Sequence, residues 1–173
     1  MHLRHPLAVL VLALMAGNAA AQSGSPATTG ALPTQANRIV GLWSALGLVG
    51  PCGAPPTSPI NAIVAFHAGG TLSTSDTLPA TGGIPNLHGI AGFNTRGPGY
   101  GRWSYDPVTQ RYGVVFRFNW FVNGFYHGYQ QVEREVTLSA DGQELSGPIN
   151  AARYFANGDK YMDFCGEEVS DRI

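Results

Sequence analysis

Four side chains in the second half of the chain, Trp120, His127, Tyr129 and Arg153, are of types that do chemistry when brought together. A guanidinium and an imidazole beside an indole can hold a carboxylate or enolate head group while neighbouring aromatics bury an apolar remainder. His127 or Tyr129 could instead carry a proton in a cofactor-free isomerase or cyclase reaction. Plainer roles compete: Arg153 can extend its head to solvent, and His127 can bond a backbone carbonyl. Other reactive types lead less far. No G-x-S-x-G or H-E-x-x-H pattern is present. Glu133 and Glu135 share a strand face, but Arg134 between them reads as part of a solvated charged patch rather than of a glycosidase cleft. Gly97-Pro98-Gly99-Tyr100-Gly101 lacks the helix and lysine of a phosphate loop and reads as a flexible link. His67 sits at a hairpin end, exposed. His88 reads either as a turn residue or as an acid-base group over a barrel mouth. Cys52 and Cys165, far apart and without a nearby histidine, match no zinc spacing, so neither metal nor cofactor is expected.

Strands joined by tight turns position these groups. Asn123-Gly124, Asp141-Gly142 and Asn157-Gly158 each supply the positive φ of a hairpin turn. Alternating apolar segments between turn signals predict strands over 39–46, 61–67, 71–75, 101–105, 112–122, 125–138, 144–155 and 160–166, with a long Gly/Pro/Thr-rich connection over 76–100. A meander of this length tends to close on itself, so the expected fold is all-β, an antiparallel up-and-down barrel of about eight strands. A two-residue turn at Asn123-Gly124 sets Val122 opposite Phe125, Trp120 opposite His127, Phe118 opposite Tyr129 and Phe116 opposite Gln131. That face is the more apolar and is expected inside. Across Asp141-Gly142, Leu138 faces Leu145, and the apolar parity has changed. One β-bulge is therefore required, expected within 132–135. The inner face then continues through Ile149, Ala151, Arg153, Met162 and Phe164. The turns at Asn123 and Asn157 lie at one end of the barrel, which gathers Trp120, His127, Arg153 and Met162 near one rim.

The N-terminus has a basic start, an apolar run too short to span a bilayer, and Ala19-Ala20-Ala21 before Gln22. Residues 1–21 are expected to be a signal peptide, 22–36 a flexible linker and 37–173 the barrel domain. The protein is then exported, periplasmic or extracellular, without a membrane anchor after cleavage. In such a compartment Cys52 and Cys165 pair by default, which stabilises the domain by roughly 4–5 kcal/mol in the chain-entropy model. A catalytic thiol is the rival reading. One tension accompanies the disulfide: strict alternation of the predicted strands puts Cys165 at the end opposite Cys52. Either the 47–59 loop wraps along the barrel or residues 89–93 add a strand. A formal charge of −1 argues against a nucleic-acid partner, and a single lysine leaves polybasic membrane docking unsupported.

Gly41-Leu42-Trp43, at the start of the first strand, resembles the G-x-W signature of lipocalins and their calycin relatives. In that family the tryptophan closes the barrel's base and an arginine near the end of the last strand packs over it; the resemblance implies that role for Arg172. The lipocalin C-terminal helix is missing. Other secreted barrels, such as the allene oxide cyclase and dirigent group, match the strand count about as well. The expected function is binding of a small, largely apolar or amphipathic molecule, one with an acidic or carbonyl head, in the barrel interior. Phe116, Phe118, Trp120, His127, Tyr129, Arg153 and Met162 are the expected ligand-binding residues. The alternatives are the isomerase or cyclase reading in the same cavity and a secreted interaction or inhibitor protein using its outer loops.

Overall fold

The computed structural model describes residues 35–76 and 83–173. The expected signal peptide and nearly all of the linker lie outside the described residues. Nine strands are present among the described residues: β1 (Gly41–Pro51), β2 (Ser58–Phe66), β3 (Thr71–Asp76), β4 (Ile84–Pro85), β5 (Phe93–Asp106), β6 (Arg111–Val122), β7 (Phe125–Leu138), β8 (Glu144–Phe155) and β9 (Lys160–Arg172). Among the described residues, helix is confined to two 3₁₀ turns, Ala36–Ile39 and Leu87–Gly89. Every pairing is antiparallel, β1 pairs with β9, and β3 closes the ring onto β5. Eight strands thus form a closed up-and-down barrel, with two-residue β4 appended to the start of β5. Closure pairs the backbone polar groups of both would-be edge strands.

Three strands are longer than their local sequence suggests. β1 continues through Gly47 and Gly50 to Pro51, and β9 continues past Gly166 to Arg172. β5 begins at Phe93, eight residues before the expected start, because the Gly97-Pro98 pair falls at a register shift between Arg96 and Gly99. A bulge tolerates a proline that a regular ladder would not, so the predicted flexible link is strand. The longer β1 and β9 also remove the disulfide tension. Gly50 pairs with Cys165, so Cys52 lies one step beyond the end of β1 and bonds Cys165 with a Cα–Cα distance of 4.8 Å. Neither a wrapped loop nor a strand over 89–93 is involved.

The required bulge exists, but it lies at His127. Phe121 pairs with Tyr126 and Trp120 with Gly128, so His127 is the extra residue. Gly128 explains the position. Its φ is 153°, and a Cβ there would stand 1.9 Å from the Tyr154 carbonyl oxygen. From Gly128 onward the even residues of β7 face inward, which buries Val132 and Val136. An unbroken ladder from the Asn123-Gly124 turn would have turned both valines to solvent. The expected pairings of Trp120 with His127, Phe118 with Tyr129 and Phe116 with Gln131 are accordingly replaced by Gly128, Gln130 and Val132.

The lower end of the barrel is solid. Ile39, Trp43, Trp103, Tyr112, Val114 and Leu145 fill it, and the first 3₁₀ turn caps it. Trp43 Nε1 donates to the Ile39 carbonyl at 2.8 Å, and the Arg172 guanidinium lies 4.2 Å from the Trp43 ring centre. Arg172 also donates to the carbonyls of Arg38, Val40 and Gly142, tying the N-terminal turn, the last strand and the β7–β8 hairpin together. Ala36, assigned to the linker from sequence, is part of this plug.

Candidate functional site

Above the plug the interior opens. A cavity of about 80 Å³ lies between β5–β9 on one side and the start of β2 with Ile84 and Leu87 on the other. A single water needs roughly 10–15 Å³, so the space suits about five to eight heavy atoms. Its wall is apolar where Phe116, Phe118, Val132, Ile149, Ala151 and Phe164 meet it, and polar at Asn94, Arg96, Gln130, Arg134 and Arg153.

Arg153 dominates the upper end. It comes from β8, opposite Gln130, and is 2% exposed. Its guanidinium carbon lies 3.7 Å from the Trp120 ring centre and 4.7 Å from that of Phe164. Nε donates to Gln130 Oε1 at 2.9 Å. Nη1 is buried without a hydrogen-bond partner. Burial, with the like charge of Arg96 adding to it and Tyr161 opposing it, lowers the pKa to about 10, so the group remains a cation at neutral pH. One bonded nitrogen and two aromatic faces fix this cation in place. No buried carboxylate faces it among the described residues.

The other buried guanidinium, Arg134, forms the cavity floor. It donates to Glu168 Oε1 at 2.6 Å, and Ser170 Oγ donates to the same oxygen at 2.7 Å. Both side chains are almost fully enclosed. Asn94 closes part of the roof: its amide donates to the carbonyls of Ile90 and Gly92, and its oxygen accepts from Trp120 Nε1 at 3.1 Å.

Of the residues expected to contact a ligand, Phe116, Phe118, Trp120 and Arg153 line this cavity. His127, Tyr129 and Met162 do not. The bulge carries His127 to the outer rim against Phe155 and Tyr161, with ring-centre distances of 5.5 and 5.9 Å. Tyr129 stacks on Tyr154 outside the wall, with Arg117 over its face. Met162 packs against the core from its edge. Arg134 is buried in an ion pair rather than in a solvated patch, whereas Glu133 and Glu135 are exposed as expected. Gln130, Arg134, Asn94 and Arg96 went unrecognised in the sequence. Counting inward parity back from the Asp141-Gly142 turn finds the first two, since Val132 and Val136 share their face. Asn94 and Arg96 carry no such signal, because the Gly- and Pro-rich sequence around them predicts a loop. His67 is exposed and bonded to Ser73, and the backbone of His88 lies in the second 3₁₀ turn.

The described residues lining the cavity include no His, Asp, Glu, Cys or Tyr. What the cavity offers a ligand is a fixed cation, aromatic faces and amide groups. A more open groove of about 390 Å³ runs outside the barrel beside the disulfide, but its Gln131, Glu133, Lys160 and Asp163 are bonded to one another or to neighbours. No group of three or more potential metal-binding side chains occurs among the described residues, and none of their helices is long and apolar enough to cross a membrane. No protein-family model matches the chain, and a search of curated proteins finds no match.

Proposed function

We propose that this protein is an exported binding protein that takes a small, largely apolar molecule with an acidic head into the upper cavity of its barrel. The observation that carries the reading is Arg153: a buried cation with one partnerless nitrogen, held against a cavity wall by Gln130 and two aromatic rings. An unpaired buried charge costs several kcal/mol and is retained where something else compensates it. A carboxylate entering the cavity gives Nη1 a charge-assisted hydrogen bond, while Phe116, Phe118 and Val132 take up the apolar remainder. The disulfide and the N-terminal pattern of residues 1–21 support export. The Gly41-x-Trp43 segment, with Arg172 packed on Trp43 at a capped base, supports a place among the calycin-like barrels.

Native mass spectrometry of protein purified from the export compartment, followed by solvent extraction, tests this. The expected result is an added mass that extracts as an organic acid and is absent from the Arg153→Met variant. A cavity that stays empty in the presence of millimolar small carboxylic acids refutes the proposal.

A further inference from the structure

Aromatic side chains that do not line the cavity gather at the upper end of the barrel. Phe93 begins β5, Phe125 begins β7, Phe155 ends β8 and Tyr161 is the second residue of β9, so all four stand on one rim. Tyr126 joins them, its ring 6.1 Å from that of Phe121. The arc is continuous. The Phe93 N–H donates to Asn123 Oδ1 and the Asn123 N–H to the Phe93 carbonyl, each at 2.8 Å, which holds the β6–β7 turn against the start of β5. On the other side, Phe155 and Tyr161 stack 4.2 Å apart next to His127. Even so, Phe125 is 78% exposed, and Phe93, Tyr126 and Phe155 are each 41–49% exposed. At roughly 150–250 Å² per aromatic side chain these four leave roughly 300–500 Å² uncovered, the size of patch that marks an interaction surface.

Charge and shape decide what covers it. From Phe118 to Val132 the β6–β7 hairpin has no Asp, Glu, Lys or Arg. Glu133, the first charged residue of β7, is eight residues from Phe125, roughly 26 Å along a strand, whereas a headgroup layer is only roughly 5–8 Å deep. The neighbouring β8–β9 turn carries Asp159 and the Lys160–Asp163 ion pair, which give little net charge to attract anionic lipid. The hairpins of the lower end carry exposed Asp106, Arg111, Asp141 and Glu144 instead. A specific protein partner draws on charged positions to fix its register, and this rim offers few. Phe and Tyr rings at strand ends, with Asn side chains in the turn between them, match the aromatic and polar layers of a membrane–water interface. We infer that the upper rim is a docking surface for a neutral lipid bilayer, with Phe93, Phe125, Tyr126 and Phe155 entering the headgroup layer. Ile84 belongs both to the exposed surface at this end and to the cavity wall, so a docked barrel turns its cavity toward the lipid. Docking is independent of what the cavity holds.

Co-sedimentation with phosphatidylcholine vesicles, using protein purified from the export compartment, tests this. Binding is expected at about millimolar lipid, and unchanged in about 1 M salt, where the Debye length is roughly 3 Å. Phe125→Ser and Phe93→Ser are each expected to raise the lipid concentration for half-binding about tenfold, while unfolding at the wild-type temperature. Leu46→Ser changes a half-exposed side chain on the outer wall of β1 and is expected to bind as the wild type does. Three results overturn the inference: no binding at about ten millimolar lipid, equal binding by wild type and both rim variants, or an equal loss in Leu46→Ser. A lipid-free dimer that dissociates in Phe125→Ser overturns it too, because a second copy of the chain then covers the rim.

Discussion

Replacing Gly128 by alanine puts a methyl carbon 1.9 Å from the Tyr154 carbonyl oxygen and 2.9 Å from the backbone carbon of Phe155. Ordinary C···O contacts begin at roughly 3.3 Å, so β7 and β8 must part by more than an ångström. Overpacking of that kind costs about 1–3 kcal/mol, and a side chain at a φ of 153° adds strain of about 1–3 kcal/mol. The expected loss is therefore about 2–6 kcal/mol, a large part of a typical domain's stability. For a domain of this size that lowers Tm by roughly 6–20 °C. Removing the adjacent His127 altogether should do far less. Deletion leaves Tyr126 opposite Phe121 and Gly128 opposite Trp120, so every inward residue of β7 keeps its side. Only the rim contacts of the imidazole with Phe155 and Tyr161 are lost, worth about 1 kcal/mol or less. Urea and thermal unfolding of both variants, followed by tryptophan fluorescence, give the comparison. A stable Gly128→Ala protein together with an unfolded His127 deletion would refute the bulge, and with it the placement of Gln130 and Arg134 inside.

Arg153→Met replaces an uncompensated buried cation with a side chain of similar reach, so thermal unfolding of the empty protein should show unchanged or higher stability. Its affinity for carboxylic acids should fall about a hundredfold by titration calorimetry, and an equal affinity would remove Arg153 from the site. Acid binding by the wild type should be flat from about pH 6 to 9 and weaken as pH rises through about 10, where the free guanidinium loses its proton. The same group makes the empty fold less stable while charged, because burial holds its folded pKa below the ordinary guanidinium value; that cost is relieved as pH rises above about 10. Affinity that instead rises above pH 10 would contradict an anion held by this cation. Arg172→Ala removes hydrogen bonds to three carbonyls and the contact with Trp43, at about 3–4 kcal/mol, and should lower the urea midpoint without changing acid affinity, since the cavity lies at the other end of the barrel.

The site was half legible. Phe116, Phe118 and Trp120 alternate on a strand whose inward parity is plain from its own apolar pattern, and Arg153 follows from the hairpin at Asn157-Gly158 through Phe164 and Met162. His127 and Tyr129 were misplaced by a single residue of register. Both are aromatic or polar, so neither resists being assigned to the inside. Arg134 was hidden by its neighbours: between two exposed glutamates it looks like surface, and the carboxylate that neutralises it is 34 residues away, beyond the expected end of the last strand.

Local patterns determined the all-β class, the positions of the three hairpin turns, the pairing of Cys52 with Cys165 and, through a three-residue resemblance, the packing of Arg172 on Trp43. Each of these depends on residues near one another in sequence, on there being only two cysteines, or on one late arginine. Tertiary structure decided which residues face the cavity. Inside and outside alternate with every residue, so one inserted residue reverses all that follow. The insertion sits where a neighbouring backbone comes close enough to require a glycine. That approach, of Tyr154 to Gly128, is a property of the assembled sheet and of no segment within it.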